Sequence, residues 1–217
     1  MRLILTSDFP SSAPAEVVER LKASGDSPRI AWIPPDTDGG HTHFDAARQR
    51  FSALGFNRLE PCDIDREKDE VQLAYLHEFD VIYLSGGDPL RFRYNMFRAG
   101  LSGGLRRCLA ARRLVVAASG GSMLLTPNVS LYRLQTESVE AVLNDRGRFD
   151  AVSAVSYEVL PHANRCDAAL LGKVRRYSEQ VDHDIVALSD GAALLHAGDS
   201  FEAVGEVARY RLGVPVT

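Results

Sequence analysis

Short apolar runs alternate with amphipathic segments along most of this chain. Buried strands are predicted at residues 2–7, 29–35, 80–88 and 114–119. Helices are predicted between and after them, at residues 14–24, 43–56, 70–79, 89–97 and 101–113. Repeated strand–helix units favour an α/β fold with a doubly wound, mostly parallel sheet. Because no internal repeat or linker interrupts the pattern, we predict a single domain over residues 1–217.

The pattern changes after about residue 127. A strand is predicted at residues 152–162 and a helix at residues 167–180. Residues 184–198 are predicted to form two strands with a turn at Asp190–Gly191, which indicates antiparallel strands at the edge of the sheet.

Composition narrows the class of protein. The net charge of −4 gives no electrostatic basis for binding nucleic acid or an anionic membrane. No apolar run approaches the roughly 18–20 residues that span a bilayer. The three cysteines are far apart and lack zinc-type spacing, so we expect reduced thiols in a cytoplasmic protein. His41 and His43 are interpreted as part of a polar loop, and no metal or cofactor site is predicted.

Ser119 is the first candidate for chemistry, because it ends a buried strand and is surrounded by residues with small side chains. Ligands gather at the carboxyl ends of strands in a doubly wound sheet. The run from Ala117 to Gly121, AASGG, meets the steric need of a nucleophile elbow, where bulky neighbours would clash. Two alternatives stay open: a serine that only caps the next helix, and a glycine-rich phosphate cradle, which lacks its lysine here.

A serine nucleophile needs a base, and His162 is the best placed of the six histidines. It ends the apolar run YEVL, follows Pro161 and precedes the polar residues ANR, so it also belongs at the carboxyl end of a strand. A loop histidine that binds only backbone is the alternative.

Four motifs in this order resemble the S51 serine peptidases, the family of aspartyl dipeptidase (peptidase E) and cyanophycinase. They are MRLILTSDF, VIYLSGGDPLRF, AASGGSMLL and VLPHANR. The resemblance implies a fold like that of the class I glutamine amidotransferases. It implies Ser119 as nucleophile and His162 as base, although AASGGS departs from the usual G-x-S-A-G-[SA] by an exchange of small residues.

The resemblance also suggests the rest of the machinery. The amides of Gly87 and Gly120 are expected to form an oxyanion hole, and an acidic residue between serine and histidine is expected to complete a triad. Glu137 is our choice, with Glu140, Asp145 and Glu158 as rivals. For substrate binding we expect Asp88, which follows the Gly86–Gly87 pair, and a cation. Arg165 and Arg176 are the first choices for that cation, with Arg91, Arg93 and Arg175 as further candidates.

These residues lead to three functional hypotheses. The first is a serine exopeptidase that cleaves short peptides, with N-terminal aspartate preferred, through an acyl-enzyme and without a cofactor. The second is an isopeptidase acting on β-Asp-Arg linkages, and the third is a non-catalytic binding module on the same fold. The expected partner is a short peptide substrate, and the resemblance is compatible with a homodimer, although no stretch of sequence marks an interface.

Overall fold

The fold is described from a computed structural model. It covers residues 2–36, 40–64, 76–198 and 200–216, without the side chains of residues 40, 41 and 216. Most of the helix predicted at residues 70–79 lies outside the described residues, and within them Leu76–Glu78 form one 3-10 turn.

Seven strands form the main sheet. In chain order they are β1 (Arg2–Thr6), β2 (Ile30–Ile33), β3 (Leu59–Pro61), β4 (Val81–Leu84), β5 (Leu114–Ala118), β8 (Ala193–Ala197) and β9 (Ser200–Val204). Their spatial order is β3-β2-β4-β5-β1-β8-β9. The five strands from β3 to β1 are parallel, and β8 and β9 each run antiparallel to the strand before them in that order. The predicted α/β class with a mostly parallel sheet is confirmed.

Helices cover both faces of this sheet because its strands are apolar on both sides. The helices are α1 (Ala15–Lys22), α2 (Gly40–Ala53), α3 (Pro89–Arg98), α4 (Leu101–Ala110), α5 (Gly120–Leu124), α6 (Val139–Asn144) and α7 (Ala168–Ser178). Along β1, Leu3 and Leu5 pack with the buried residues of α3 and α4, whereas Ile4 packs with those of α1 and α2. This arrangement is the doubly wound sheet that the sequence predicts.

A second sheet has four strands in the order β11-β10-β7-β6. They are β6 (Glu158–Leu160), β7 (Ile185–Leu188), β10 (Val207–Arg211) and β11 (Val214–Val216). The prediction that residues 184–198 form one strand pair is therefore wrong. The chain does turn at Asp190–Gly191, but it leaves β7 in one sheet and enters β8 in the other.

Several polar residues follow directly after strands of the two sheets. Ser7 follows β1, Gly86–Gly87 follow β4, and Ser119 follows β5, so these three loops lie at the carboxyl edge of adjacent parallel strands. His162 and Asp190 come shortly after β6 and β7, which are paired in the second sheet. None of the described helices is long and apolar enough to cross a membrane.

Candidate active site

Ser119 occupies the tight turn between β5 and α5. Its backbone has φ 50° and ψ −117°, a conformation that is costly for a residue with a side chain. Its side chain makes no capping hydrogen bond to α5. The turn instead directs the hydroxyl away from the helix, so Ser119 is not a simple helix cap.

The glycines after Ser119 are required by close backbone contact. A Cβ atom on Gly120 would lie 2.1 Å from the carbonyl oxygen of Gly87, and one on Gly121 would lie 2.6 Å from that of Leu84. Both distances are far below ordinary van der Waals contact, so α5 packs against the end of β4 only because these side chains are absent. The small residues of the AASGG motif thus serve the steric purpose that the sequence predicts.

His162 lies directly against Ser119. Its Nε2 is 2.9 Å from Ser119 Oγ, and its Nδ1 is 2.7 Å from Asp190 Oδ1. Because an ionised carboxylate only accepts hydrogen bonds, we assign the ring proton to Nδ1. Nε2 then accepts the hydrogen bond from the Ser119 hydroxyl, which is the geometry of a general base beside a nucleophile.

Asp190 remains ionised because several donors surround its carboxylate. Burial alone would raise the pKa of Asp190, but hydrogen bonds from His162, Arg165 and Asn164 outweigh that effect and lower it. Arg165 Nε lies 2.5 Å from Asp190 Oδ2, the oxygen that does not face His162. A negative charge is therefore fixed next to the imidazole, where it would stabilise the imidazolium form.

The structure does not place Glu137 beside His162. Glu137 instead pairs with Arg133, whose Nε is 2.7 Å from Glu137 Oε1, and this ion pair lowers the pKa of the carboxyl group. The rivals also have other partners. Asp145 shares Arg133, and Glu158 contacts Arg146. Glu140 lies in the first turn of α6. The expectation that Glu137 orients the histidine is corrected, because Asp190 holds that position.

The two predicted oxyanion-hole residues do lie together. Gly87 and Gly120 are in backbone contact and both border the cavity at Ser119. Neither amide donates a hydrogen bond to any described residue. Gly120 is also the first residue of α5, where amides have no acceptor within the helix. Within the described part of the chain, both donors therefore remain available to an oxygen of a bound ligand.

Two cavities adjoin Ser119 and His162. The smaller, of about 470 Å³, has many apolar side chains in its wall, among them Met123, Leu131 and Leu170. The larger, of about 750 Å³, contains aromatic side chains and several aspartates. Arg165 borders both cavities.

The other two predicted substrate-binding residues are placed differently. Asp88 borders the larger cavity, but its carboxylate caps α3 by accepting from the amides of Leu90 and Arg91. Arg176 is exposed on α7 and borders neither cavity, so its predicted place at the site is corrected. Lys173, one turn earlier on the same helix, borders the smaller cavity instead.

Sequence reasoning missed Asp190 as a partner of His162. The signal was available, because Asp190 follows a buried strand as Ser119 and His162 do. From sequence, however, the Asp190–Gly191 pair indicates only the turn of a hairpin. In the described part of the chain, no three His, Cys, Asp or Glu side chains are grouped as a metal ion would require.

Comparison with known proteins identifies the family of this chain. The family model of Peptidase family S51 matches residues 4–204. An uncharacterized peptidase of Listeria monocytogenes is 24% identical over 164 residues, which are 75% of this chain and 78% of that protein. A related uncharacterized peptidase of Listeria innocua is also 24% identical over 164 residues, covering 75% of this chain and 76% of its own.

Solved structures share the fold. The putative peptidase E protein from Listeria monocytogenes superposes with a TM-score of 0.69 at 23% identity, covering 97% of this chain and 98% of that one. A peptidase from an acI-B1 Actinobacterium superposes with a TM-score of 0.73 at 18% identity, covering 100% and 96%. Since the family model spans almost the whole chain, including every strand end that meets at Ser119, this protein belongs to peptidase family S51.

Proposed function

We propose that this protein is a serine peptidase that forms an acyl-enzyme on Ser119. The observation that carries the proposal is the unbroken chain of hydrogen bonds from Ser119 Oγ through His162 to Asp190. A serine hydroxyl is a weak nucleophile unless a base accepts its proton, and this chain supplies the base together with a group that orients it.

We propose the following steps for hydrolysis. His162 Nε2 takes the proton as Ser119 Oγ attacks the peptide carbonyl carbon, and the amides of Gly87 and Gly120 stabilise the resulting oxyanion. The protonated imidazole then gives that proton to the leaving amine, and the C–N bond breaks. Water attacks the ester with His162 again as base, which releases the acid and restores the free hydroxyl.

We further propose that the substrates are short peptides with an acidic residue on the acyl side. The support is the charge in the smaller cavity, where Lys173 Nζ lies 2.9 Å from the carbonyl oxygen of Leu134 and 2.8 Å from that of Glu137. An ammonium has three donors, so one remains for a carboxylate of the substrate. Arg165 adds a second cation, although Asp190 already binds its Nε.

The same cavity favours a second candidate specificity. Leu131, Leu134, Leu160 and Leu170 all border it, and an apolar acyl residue would bury surface against them. The two specificities share the chemistry and differ only in whether Lys173 or the leucines dominate binding.

A panel of dipeptides tests both the chemistry and the specificity. We expect hydrolysis of Asp-X by the wild type and on the order of 10⁶-fold less by Ser119→Ala, because the nucleophile is removed. Ser122→Ala is the matched control and should stay within about threefold of wild type, since that hydroxyl is fully buried and binds only backbone. Activity that persists in Ser119→Ala would contradict the mechanism.

The specificity arm measures kcat/KM for Asp-X, Leu-X and β-Asp-Arg, once with the wild type and once with Lys173→Met. Loss of the ammonium should lower kcat/KM for Asp-X by about 10- to 100-fold and leave Leu-X within about threefold. Arg176→Gln is the control, since Arg176 borders neither cavity. Equal rates on Asp-X and Leu-X in the wild type would remove the acidic specificity, and a preference for β-Asp-Arg would establish the isopeptidase alternative.

A further inference from the structure

Ser7 is a fully buried residue at the edge of the triad. It follows β1, the neighbour of the strand that ends at Ser119, and has 0% exposed surface. Its own amide donates to the carbonyl oxygen of Ala192, at 3.2 Å. Ser7 is thus anchored to β1 and to the segment that follows Asp190, and it borders neither of the two cavities.

The Ser7 hydroxyl contacts both His162 and Asp190, the other two members of the proposed triad. Its oxygen accepts from the backbone amide of His162 at 2.8 Å and lies 3.3 Å from both Asp190 Oδ1 and His162 Nδ1. A hydroxyl has one proton to give. Because Nδ1 carries its own proton toward Asp190, the Ser7 proton goes to the carboxylate, and the hydroxyl closes a ring of hydrogen bonds through His162 and Asp190.

This ring acts where the backbone is strained. His162 has φ 56° and ψ 36°, a left-handed conformation that residues with a side chain rarely adopt. The bond from its amide to Ser7 Oγ fixes that peptide, and the bond to Asp190 fixes the carboxylate that orients the ring. The same hydroxyl therefore sets both the place and the direction of the imidazole.

We propose that Ser7 is a positioning residue that holds His162 and Asp190 in the geometry needed to activate Ser119; this inference rests on the proposed function. Ser7 acts through these two residues and does not touch substrate. The charged groups around His162 are Asp190 and Arg165, with Asp8 nearby, whose Oδ1 accepts from the amide of Gly191.

The test compares Ser7→Ala with Thr6→Val. Thr6 is the matched control, because it is the preceding residue, is equally buried, and its hydroxyl binds only the carbonyl oxygen of Ala117. Both variants should lose some thermal stability. Ser7→Ala should also lose about 10- to 100-fold in kcat with KM within about threefold, whereas Thr6→Val keeps its kcat within about threefold.

The comparison of kcat with KM separates positioning from general loosening of the fold. Because both variants are expected to lose stability, a fall in kcat confined to Ser7→Ala is assigned to the contacts of its hydroxyl with His162 and Asp190. A kcat of Ser7→Ala within about threefold of wild type would overturn the proposal.

Labelling of Ser119 with a fluorophosphonate probe keeps the inference independent of peptide specificity. Ser119 Oγ attacks phosphorus, fluoride leaves, and the hydroxyl proton passes to His162. If no peptide is cleaved, the proposed substrate class is wrong. Slower labelling of Ser7→Ala than of Thr6→Val would still support the positioning role of Ser7. Equal labelling rates would refute that role. Should Ser7→Ala not fold, Ser7→Cys, with a weaker donor in a similar shape, is expected to show an intermediate loss in the same measurement.

Discussion

At the scale of single residues, Ser119 and Ser122 show how position determines the use of one side chain. Ser122 Oγ lies 2.8 Å from the carbonyl oxygens of Thr6 and Ala117 and is fully enclosed. Ser119 lies three residues earlier, in a strained turn that presents its hydroxyl to His162. The same functional group is structural in one place and available for chemistry in the other because of the backbone that carries it.

We predict opposite effects on kcat for substitutions at Asp190 and at Glu137. Asp190→Asn should lower kcat on the order of 10³- to 10⁴-fold, because an amide cannot hold the Nδ1 proton in place and the wrong tautomer results. Glu137→Gln should stay within about threefold of wild type, since Glu137 binds Arg133 and not His162. Steady-state kinetics on the best dipeptide substrate measures both.

The contradicting result would be the reverse pattern, with a large loss in Glu137→Gln and a small one in Asp190→Asn. A circular dichroism spectrum should accompany both variants, because the Glu137–Arg133–Asp145 cluster contributes to the packing of α6.

Two of the three triad positions could be predicted from the sequence, for a physical reason. Ser119 and His162 each combine a buried strand with a polar residue just after it. This local pattern makes them candidates, and the resemblance to the S51 peptidases selects them from the alternatives. The partner of His162 depends on which strands pair across long separations. The order of residues along the chain favours Glu137, whereas β6 pairs with β7 and brings Asp190 to the histidine.

At the scale of elements, the contact of α5 with the end of β4 builds the site. This contact sets Gly120 against Gly87 and so brings the two glycines together next to Ser119. A helix that starts at the nucleophile also directs its first amides toward the place where negative charge develops. One steric restriction therefore positions both the proposed nucleophile and the proposed oxyanion donors.

Gly120→Ala tests that restriction. The added methyl group would meet the Gly87 carbonyl oxygen at 2.1 Å, so backbone must move. We expect a loss of about 1–3 kcal/mol in the free energy of unfolding and on the order of 10²-fold in kcat. Gly172→Ala is the control, because its Cβ would meet nothing within 4 Å, and it should be neutral or slightly stabilising. A Gly120→Ala enzyme with wild-type kcat would contradict the predicted oxyanion hole.

The C-terminal strands show where a local pattern stops being informative. Alternating strand and turn residues at 184–213 do not reveal that β7 and β10 join one sheet while β8 and β9 join the other. Because the chain crosses between sheets at Asp190, this element is also what brings the carboxylate into the site.

At the scale of the whole molecule, the site depends on how the second sheet is held, since that sheet carries His162 and Asp190 after its strands. A buried ionic network supports β6. Glu158 is fully buried, its Oε1 is 2.7 Å from Arg146 and 2.9 Å from His183 Nε2, and Tyr177 contacts the same carboxylate. The network joins β6, α7 and the loop before β7.

This network should make stability depend on pH. Hydrogen bonds that the His183 ring donates to Glu158 and Asp182 raise the pKa of His183 above 6.5, against the effects of burial and of Arg146. A raised pKa contributes stability that is fully present below pH 6.5 and is lost as pH rises through the folded-state value. His183→Asn should therefore cost about 1–2 kcal/mol at pH 6 and less at pH 9, as measured by urea unfolding. A difference that grows with pH would contradict this assignment.

The most direct test of the account is to find which atom reacts. Wild-type protein should be labelled once by a fluorophosphonate, and tandem mass spectrometry of the digest should place the adduct on Ser119. Labelling should be absent in Ser119→Ala, much slower in His162→Ala, and unchanged in Ser122→Ala. An adduct on another residue, or labelling of Ser119 at the same rate without His162, would contradict the claim that this histidine activates this serine.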